Sequence, residues 1–418
     1  MHGAGWTPGG FRSIESYERG RRGAEITRLI DLRGGGTAAS SVLVPTSTLA
    51  KDDLHSEFDA AWLRSGVRPP HEGPRGTVRV VDLFSGCGAL SLGISEACRA
   101  LELSAEHVYA ADINSMALAV CGANFPSSRL DSRPIETLVG QIGDRLSSDE
   151  RKLRKAFGEI DILAGGPPCQ GHSDLNNHTR RTDPRNSLFE AMIRFAQVLL
   201  PRSVIVENVP GVRHDKGGVT ATGREALESL GYTVSESVLT ASEFGAAQRR
   251  RRYVLVATRS PSFNFSHLPK VRSERTLRWA CEDLAHQRSE AVIDSHAKSS
   301  KDNRARIAYL MEHGLYDLPN SLRPPCHRLK DHSYNSVYGR LKWDEPAPTI
   351  TSGFNSPGQG RFVHPEAPRT LTPHEAARVQ SIPDFFDWGT SNRESLTQMI
   401  GNAVPPKLAY AVALELLR

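Results

Sequence analysis

The chain has 418 residues, of which 39% are hydrophobic and 24% charged, a composition typical of a globular protein with two or three domains. It contains no apolar run near the roughly 18–20 residues of a membrane helix, and its N-terminus lacks the charged and apolar segments of a secretory signal. None of the 6 cysteines forms a C-x-x-C pair, so we expect no metal site and a reduced, cytoplasmic protein.

The positive charge is concentrated in one stretch. The net charge is +5, whereas residues 249–345 hold 19 Lys and Arg against 11 Asp and Glu, a net of +8. This excess predicts a basic surface that binds a series of phosphate groups. The alternative is a solvated loop with spare arginines.

Residues 1–76 contain 12 of the 35 glycines. The spacing of apolar residues predicts a strand at 25–32 and a helix at 49–64, and the sequence PPHEGPRG at 69–76 is typical of a linker. We predict an N-terminal extension over 1–76 that either docks on the main domain or is partly disordered. No function is assigned to it.

From residue 77 onward, short apolar runs alternate with helical periods. We predict helices at 90–101, 115–124 and 188–200, and strands at 78–82, 108–111, 160–164, 203–206, 233–239 and 253–258. This alternation predicts an α/β fold with a Rossmann-like, doubly wound, mostly parallel sheet. The periodicity stops near residue 260, which predicts a main domain at 77–259 and a smaller domain at 260–340. The main domain returns at 341–418, with helices at 369–382 and 405–417.

Two segments after the first predicted strands indicate a nucleoside site. The glycine-rich turn at 82–88 (DLFSGCG) follows the first strand, and ligands of such folds bind at the carboxyl ends of strands. Asp112 ends the second strand, where its carboxylate can accept hydrogen bonds from ribose hydroxyls. The turn lacks the G-x-G-x-x-G pattern, so a dinucleotide is not favoured. The alternative is a tight turn that needs glycine.

Two further strands end in candidate catalytic residues. Cys169 lies in GGPPCQG, where prolines and glycines hold it on a loop above the sheet edge, as expected for a nucleophile. The alternative is a small buried apolar side chain. Glu207 begins ENVPG just past the fourth strand, where a raised pKa would make it a general acid. The alternative is a glutamate on a surface turn.

The basic run QRRRR at 248–252 leads into the last predicted strand. Because alternate strand residues share a face, we expect Arg250 and Arg252 to point one way, and Arg249 and Arg251 the other. The alternatives are a solvated basic run and a phosphate clamp.

The order of these segments resembles the C5-cytosine methyltransferase family. DLFSGCG is similar to the first cofactor motif of that family, GGPPCQG to its nucleophile motif, ENVPG to its glutamate motif and QRRRR to its Q-x-R-x-R motif. RTLTPHEAARVQSIPD and QMIGNAVPP resemble the ninth and tenth motifs. The resemblance extends from about residue 78 to 418, except for about 260–335, where the family has its variable target-recognition domain.

The resemblance implies S-adenosyl-L-methionine as cofactor, bound by Phe84, Ser85, Gly86, Gly88, Asp112 and Asn402. It also implies a set of catalytic residues, Cys169, Glu207, Arg250 and Arg252, and a supporting set, Pro168, Asn208 and Gln248. In this family the cysteine adds to C6 of a flipped-out cytosine, the glutamate holds or protonates N3, and the arginines contact the base and support the cysteine loop. Gln248 would orient the arginines.

The implied function is that of a DNA (cytosine-5-)-methyltransferase that acts on a short specific sequence in double-stranded DNA. We expect a cytoplasmic, nucleoid-associated prokaryotic monomer, either solitary or paired with a restriction endonuclease with which it forms no stable complex. The third family motif departs from the pattern: Arg133, Pro134 and Ile135 stand where an aspartate near the adenine is usual, so Asp131 or the backbone would serve. The alternatives are a tRNA cytosine-5 methyltransferase and a catalytically silent DNA-binding protein.

Overall fold

The computed structural model describes residues 14–20, 23–44, 53–71, 73–168, 186–214, 218–259, 263–287, 289–328, 336–389 and 392–418. The strands are β1 (Glu15–Arg19), β2 (Glu25–Asp31), β3 (Thr37–Leu43), β4 (Thr77–Leu83), β5 (Ser104–Ala111), β6 (Arg129–Asp131), β7 (Ile162–Gly165), β8 (Ser203–Asn208), β9 (Thr233–Thr240) and β10 (Arg251–Thr258). The helices are α1 (Leu54–Leu63), α2 (Ala89–Ala100), α3 (Ser115–Asn124), α4 (Ser148–Phe157), α5 (Asn186–Leu199), α6 (Val219–Ser229), α7 (Leu277–Cys281), α8 (Lys301–Glu312), α9 (Pro325–Arg328), α10 (Pro373–Val379), α11 (Arg393–Asn402) and α12 (Pro406–Leu417).

The main sheet has seven strands in the order β6-β5-β4-β7-β8-β10-β9. The first five of these are mutually parallel, and β10 runs antiparallel to both β8 and β9. The predicted mostly parallel α/β fold is therefore confirmed. All of the strands predicted from residue 77 onward are present, with ends shifted by a few residues. Strand β6 was not predicted, because its three residues contain no apolar run.

Helices cover both faces of this sheet. On one face, α2 and α12 pack on the strands through residues such as Ile94 and Val412. On the other face, α5 and α6 do so through Met192, Phe195 and Leu227. Burial on both sides explains why the central strands are continuous apolar runs rather than alternating ones. The carboxyl ends of the parallel strands are left open at one edge.

The N-terminal unit consists of β1, β2, β3 and α1. Its strands form an antiparallel sheet with β2 in the centre, and this sheet packs against the main domain at α2. The predicted strand at 25–32 corresponds to β2. Helix α1 begins at Leu54 because the Asp53 carboxylate caps it by accepting the Ser56 N–H at 3.1 Å. Residues 49–52 of the predicted helix lie outside the described residues.

The region after β10 is built from short helices and turns. A small apolar cluster joins α8 to the segment that follows it, with members Ile307, Leu310, Leu318, Val337, Tyr338 and Val363. Helix α7 instead packs into the large cluster that contains α10. Within the predicted segment at 369–382, Thr372 and Glu375 form a capping box, and α10 begins at Pro373 and ends at Val379.

A doubly paired histidine joins this region to the main domain. His374, on α10, contacts Asp294 through Nδ1 at 2.7 Å and Asp384 through Nε2 at 2.9 Å. Both ring nitrogens can donate only in the imidazolium form. Burial lowers the pKa of His374, but the two carboxylates outweigh burial and nearby Arg378, so the pKa lies above its ordinary value.

We expect His374→Gln to lower the free energy of unfolding by about 1–2 kcal/mol near pH 6. A raised pKa in the folded state stabilises the protein fully below the ordinary histidine pKa, and this stabilisation is lost as the pH rises through the folded-state value. The difference between variant and wild type should therefore shrink as the pH rises above the ordinary histidine pKa of about 6.5, measured by urea unfolding. His313→Gln, at an exposed histidine that contacts the Tyr309 carbonyl, is the control. A difference independent of pH would contradict the prediction.

Within the described ranges, no helix is long and apolar enough to cross a membrane. Among the same residues, no group of three or more His, Cys, Asp or Glu side chains is arranged to hold a metal ion.

Candidate active site

A cavity of about 630 Å³ opens at the carboxyl edge of the parallel strands. It is lined by most of the residues that the sequence predicted for the site, namely Phe84, Ser85, Gly86, Asp112, Pro168, Glu207, Asn208, Arg250, Arg252 and Asn402. Gly88 and Gln248 lie behind this lining. Cys169 lies outside the described residues, as do residues 170–185 of the loop that follows it.

The turn after β4 has an unusual backbone. Phe84, Gly86 and Gly88 have φ values of 58°, 53° and 90°. Glycine adopts such values without strain, whereas a bulky residue such as Phe84 does so only where its surroundings hold it, typically at a functional site. The turn therefore brings backbone close to the cavity, and Phe84 is held there in a conformation that is unfavourable for its own backbone.

Asp112 ties this turn to the end of β5. Its Oδ2 accepts the Gly86 N–H at 2.8 Å, and its Oδ1 accepts the Asn114 N–H at 2.8 Å. Burial raises the pKa of Asp112, and the two backbone hydrogen bonds offset part of that rise. A carboxylate has about four acceptor sites, so Asp112 keeps acceptor capacity at the cavity wall.

Gly88, which caps α2, leaves no room for a side chain. A Cβ at this position would lie 2.7 Å from the Phe125 ring, and its φ of 90° is unfavourable for alanine. We expect Gly88→Ala to lower the free energy of unfolding by about 2–4 kcal/mol in urea titrations. Gly86→Ala, where a Cβ would meet nothing within 4 Å, should cost only about 1–2 kcal/mol. Equal costs for the two variants would contradict this packing.

Glu207 and Arg252, which both line the cavity, form an ion pair. Arg252 Nε lies 2.7 Å from Glu207 Oε1, and both side chains are largely buried. The antiparallel register of β8 and β10, which sets Val254 opposite Glu207, brings these two residues together. The carboxylate is therefore oriented before any ligand binds.

The loop that leads to Cys169 lies against the same carboxylate. A Cβ on Gly166 would lie 3.1 Å from Glu207 Oε2, so glycine permits this close approach. Asn208 Nδ2 donates to the Pro167 carbonyl at 3.1 Å and fixes the loop to the end of β8. The segment that enters the nucleophile motif is thus held beside Glu207.

Arg250 and Gln248 together hold Ile350. Arg250 Nη1 donates to the Ile350 carbonyl at 2.7 Å, and Gln248 Oε1 accepts the Ile350 N–H at 3.1 Å. Gln248 also donates to Gln380, whose side chain donates to the Ile400 carbonyl at 2.6 Å. Gln248 therefore acts on the segment around Ile350 rather than on the arginines themselves.

The four arginines of the basic run alternate in exposure. Arg250 is buried, and both burial and the neighbouring Arg252 lower its pKa. Arg249 and Arg251 are exposed, and Arg249 pairs with Glu274 at 2.8 Å. Only Arg250 and Arg252 reach the cavity.

Asp131 does not reach the cavity at the position of the altered third motif. It accepts hydrogen bonds from Arg133 Nη2 at 2.6 Å and from the Tyr109 hydroxyl at 2.9 Å. Pro134, Ile135 and Glu136 line the cavity instead. The backbone of this turn, or Glu136, is therefore better placed than Asp131 to meet a ligand.

Sequence reasoning missed several polar residues of the lining, namely Thr349, Thr351, Ser352 and Gln398. The first three lie in a short polar run that no periodic pattern marks. Their proximity to the cavity depends on Ile350, which distant residues hold in place.

Comparison with known proteins identifies the family. The sequence profile of C-5 cytosine-specific DNA methylases matches residues 78–418. The Type II methyltransferase M1.BsuMI of Bacillus subtilis (strain 168) is 45% identical over 400 residues, which cover 95% of this chain and 94% of that one. The Type II methylase M.HgiDII of Herpetosiphon aurantiacus is 32% identical over 355 residues, which cover 81% of this chain and 95% of that one.

A solved structure shares the fold. The crystal structure of a putative DNA modification methyltransferase encoded within a prophage of E. coli matches with a TM-score of 0.57 at 23% identity, covering 81% of this chain and 98% of that one. The profile match and the relatives together favour DNA over tRNA and an enzyme over a silent binder. The chain belongs to the C-5 cytosine-specific DNA methylase family and is a DNA (cytosine-5-)-methyltransferase.

Proposed function

We propose that the cavity binds S-adenosyl-L-methionine next to a cytosine flipped out of double-stranded DNA. The observation that carries this proposal is the arrangement of two groups in one cavity. The glycine-rich turn with Asp112 lines one part of the cavity, and the Glu207–Arg252 pair lines another. A methyl donor and the acceptor base would then meet between them.

The residues present fit the cofactor. Phe84, Ser85 and Gly86 would follow its surface closely. Gly88, which does not line the cavity, would contribute through the turn, since its positive φ and that of Gly86 set the course of the backbone. Asp112 would accept hydrogen bonds from the ribose hydroxyls with its remaining lone pairs. Asn402, exposed at the end of α11, would close the site. The cofactor supplies an electrophilic methyl group when bound.

The catalytic groups would act on the cytosine ring. The Cys169 thiolate forms a bond to C6, and the electron pair of the C5–C6 double bond becomes available at C5. Glu207 holds or protonates N3, so that negative charge does not accumulate on the ring. After C5 has accepted a methyl group, loss of the C5 proton and cleavage of the bond from sulfur to C6 restore the aromatic ring and the thiolate.

The arginines would position these groups. Arg252 holds the Glu207 carboxylate at 2.7 Å, while Arg250 anchors Ile350 and with it the polar residues beside the cavity. Pro168 and Asn208 would support the cysteine loop. Extruding a base costs a few kcal/mol, and contacts of the protein with the DNA would supply it.

The DNA would lie against the positively charged stretch that begins with the basic run at the start of β10. Residues 249–345 carry a net +8, and residues 260–340 would choose a short target sequence. We propose that the enzyme works as a monomer, as the resemblance to the family implies. By analogy with the Type II relatives, it would protect the DNA of a prokaryotic cytoplasm from a separate restriction endonuclease.

The test is base-resolution methylation sequencing of DNA from a methylation-free bacterial host that expresses this chain. Cytosines methylated at C5 within one short motif would support the proposal and reveal the target. If purified protein with labelled cofactor methylates tRNA instead and leaves DNA unmodified, the proposed substrate is wrong.

A further inference from the structure

The N-terminal unit is attached to α2 by buried ionic contacts. Arg28 on β2, which is fully buried, donates to Glu96 on α2 at 2.9 Å and to Ser40 at 2.9 Å. Arg99 also donates to Glu96, at 2.8 Å, and to the Ser41 carbonyl at 3.0 Å. Burial raises the pKa of Glu96, but Arg99 and Arg28 outweigh burial and hold it at about 2.

A second set of contacts attaches the same unit to α12. Lys407 donates to Asp59 on α1, and the Tyr410 hydroxyl donates to Glu15 on β1. Burial raises the pKa of Asp59, but Lys407 together with neighbouring cationic groups holds it far below its usual range. The Arg28 guanidinium also stacks on Tyr410, 5.0 Å from the ring centroid. Helices α2 and α12 are thus both attached to the N-terminal unit.

The two helices touch each other, and each begins at or just after a residue that lines the cavity. A Cβ on Gly93 of α2 would lie 2.4 Å from the Pro406 carbonyl oxygen and 2.5 Å from Ala409 Cβ, so α2 and α12 meet backbone to backbone. The cavity lining includes Ala89 at the start of α2 and Val404 just before α12. A small shift between these helices therefore changes the shape of the cavity.

The N-terminal unit lies outside the range that the family profile matches, which begins at residue 78. We propose that this unit positions α2 and α12 around the cofactor cavity, with Arg28 and Lys407 as positioning residues. This inference rests on the proposed cofactor site. Substitution of either residue weakens cofactor binding and leaves the KM for DNA nearly unchanged.

The experiment measures S-adenosyl-L-methionine binding by calorimetry, and kcat and the KM for DNA by methyl transfer. We expect Arg28→Met and Lys407→Met to weaken cofactor binding about tenfold, while the KM for DNA stays within about twofold. Lys407→Arg, which keeps the charge, should restore most of the affinity. If Lys407→Met does not fold, Tyr410→Phe removes one contact with less disturbance and should weaken cofactor binding about threefold.

Arg194→Met is the matched control. It breaks the Arg194–Glu150 pair, which is equally buried but joins α5 to α4 on the opposite face of the sheet. This variant should lose stability and keep the cofactor affinity. Weakening by the control as large as by Lys407→Met, or unchanged affinity in Lys407→Met, would overturn the inference. If the wild-type enzyme itself binds no S-adenosyl-L-methionine, the proposed cofactor site fails instead.

Discussion

Cys169→Ala should abolish methyl transfer, with kcat reduced on the order of 10⁴-fold or more, the scale on which removing a nucleophile acts in other enzymes. Alanine cannot form the bond to C6, so C5 never becomes nucleophilic enough to accept a methyl group. S-adenosyl-L-methionine binding should stay within about twofold, because the glycine-rich turn and Asp112 lie on a different strand end. Methyl transfer and calorimetry check the two halves of this prediction.

A change at another cysteine provides the control. Cys326→Ala removes an exposed cysteine in the region after β10 and should leave kcat within about twofold, as surface substitutions usually do. If Cys169→Ala still methylates DNA at a comparable rate, the nucleophile lies elsewhere. If it binds no cofactor, the substitution has disturbed the fold and the separation of roles is wrong.

Glu207→Gln should reduce kcat by about 10²–10⁴-fold, the range typical of a lost general acid. Glutamine keeps nearly the same shape but carries no proton to give to N3 and no charge to pair with Arg252. The S-adenosyl-L-methionine affinity should change little, so the loss should appear in kcat. Single-turnover methyl transfer on the target duplex measures the chemical step directly.

The matched control breaks the neighbouring ion pair of the same basic run. Glu274→Gln disrupts the exposed contact with Arg249, at 2.8 Å, and should leave kcat within about twofold, because exposed pairs contribute little. Equal losses in Glu207→Gln and Glu274→Gln would show that charge near the basic run matters in general. The role assigned to Glu207 would then be wrong.

The sequence predicted the strands that are buried on both faces, and it missed several elements that are only partly buried. Strands β4, β7 and β8 are sandwiched between helices, so they appear as apolar runs. Helix α4 (SDERKLRKAF) buries little besides Glu150 and Phe157 and gives no such pattern. Strands β1 and β3 lie at the edges of a small sheet. They were not predicted, because β1 (ESYER) is polar and β3 (TAASSVL) has no long apolar run.

The motif residues were found because each follows a predicted strand or belongs to a segment that resembles the family. Most of those that the structure describes line the cavity at the carboxyl edge of the sheet, where parallel strands end on one side. Asp131 was a poorer inference, because the sequence does not reveal that Arg133 and Tyr109 already occupy its carboxylate. Which neighbours a side chain contacts depends on packing.

The sequence by itself determined the α/β class, the family and the strand ends at which the predicted site residues lie. These depend on local features of the chain, namely apolar runs, glycine-rich turns and short motifs. Only the tertiary structure decided which distant groups meet. The register of β8 and β10 pairs Glu207 with Arg252, and packing links Gln248 to Gln380 and Lys407 to Asp59. Such contacts join residues far apart in the chain, and they form only where folding brings complementary charges and hydrogen-bonding groups within a few ångströms.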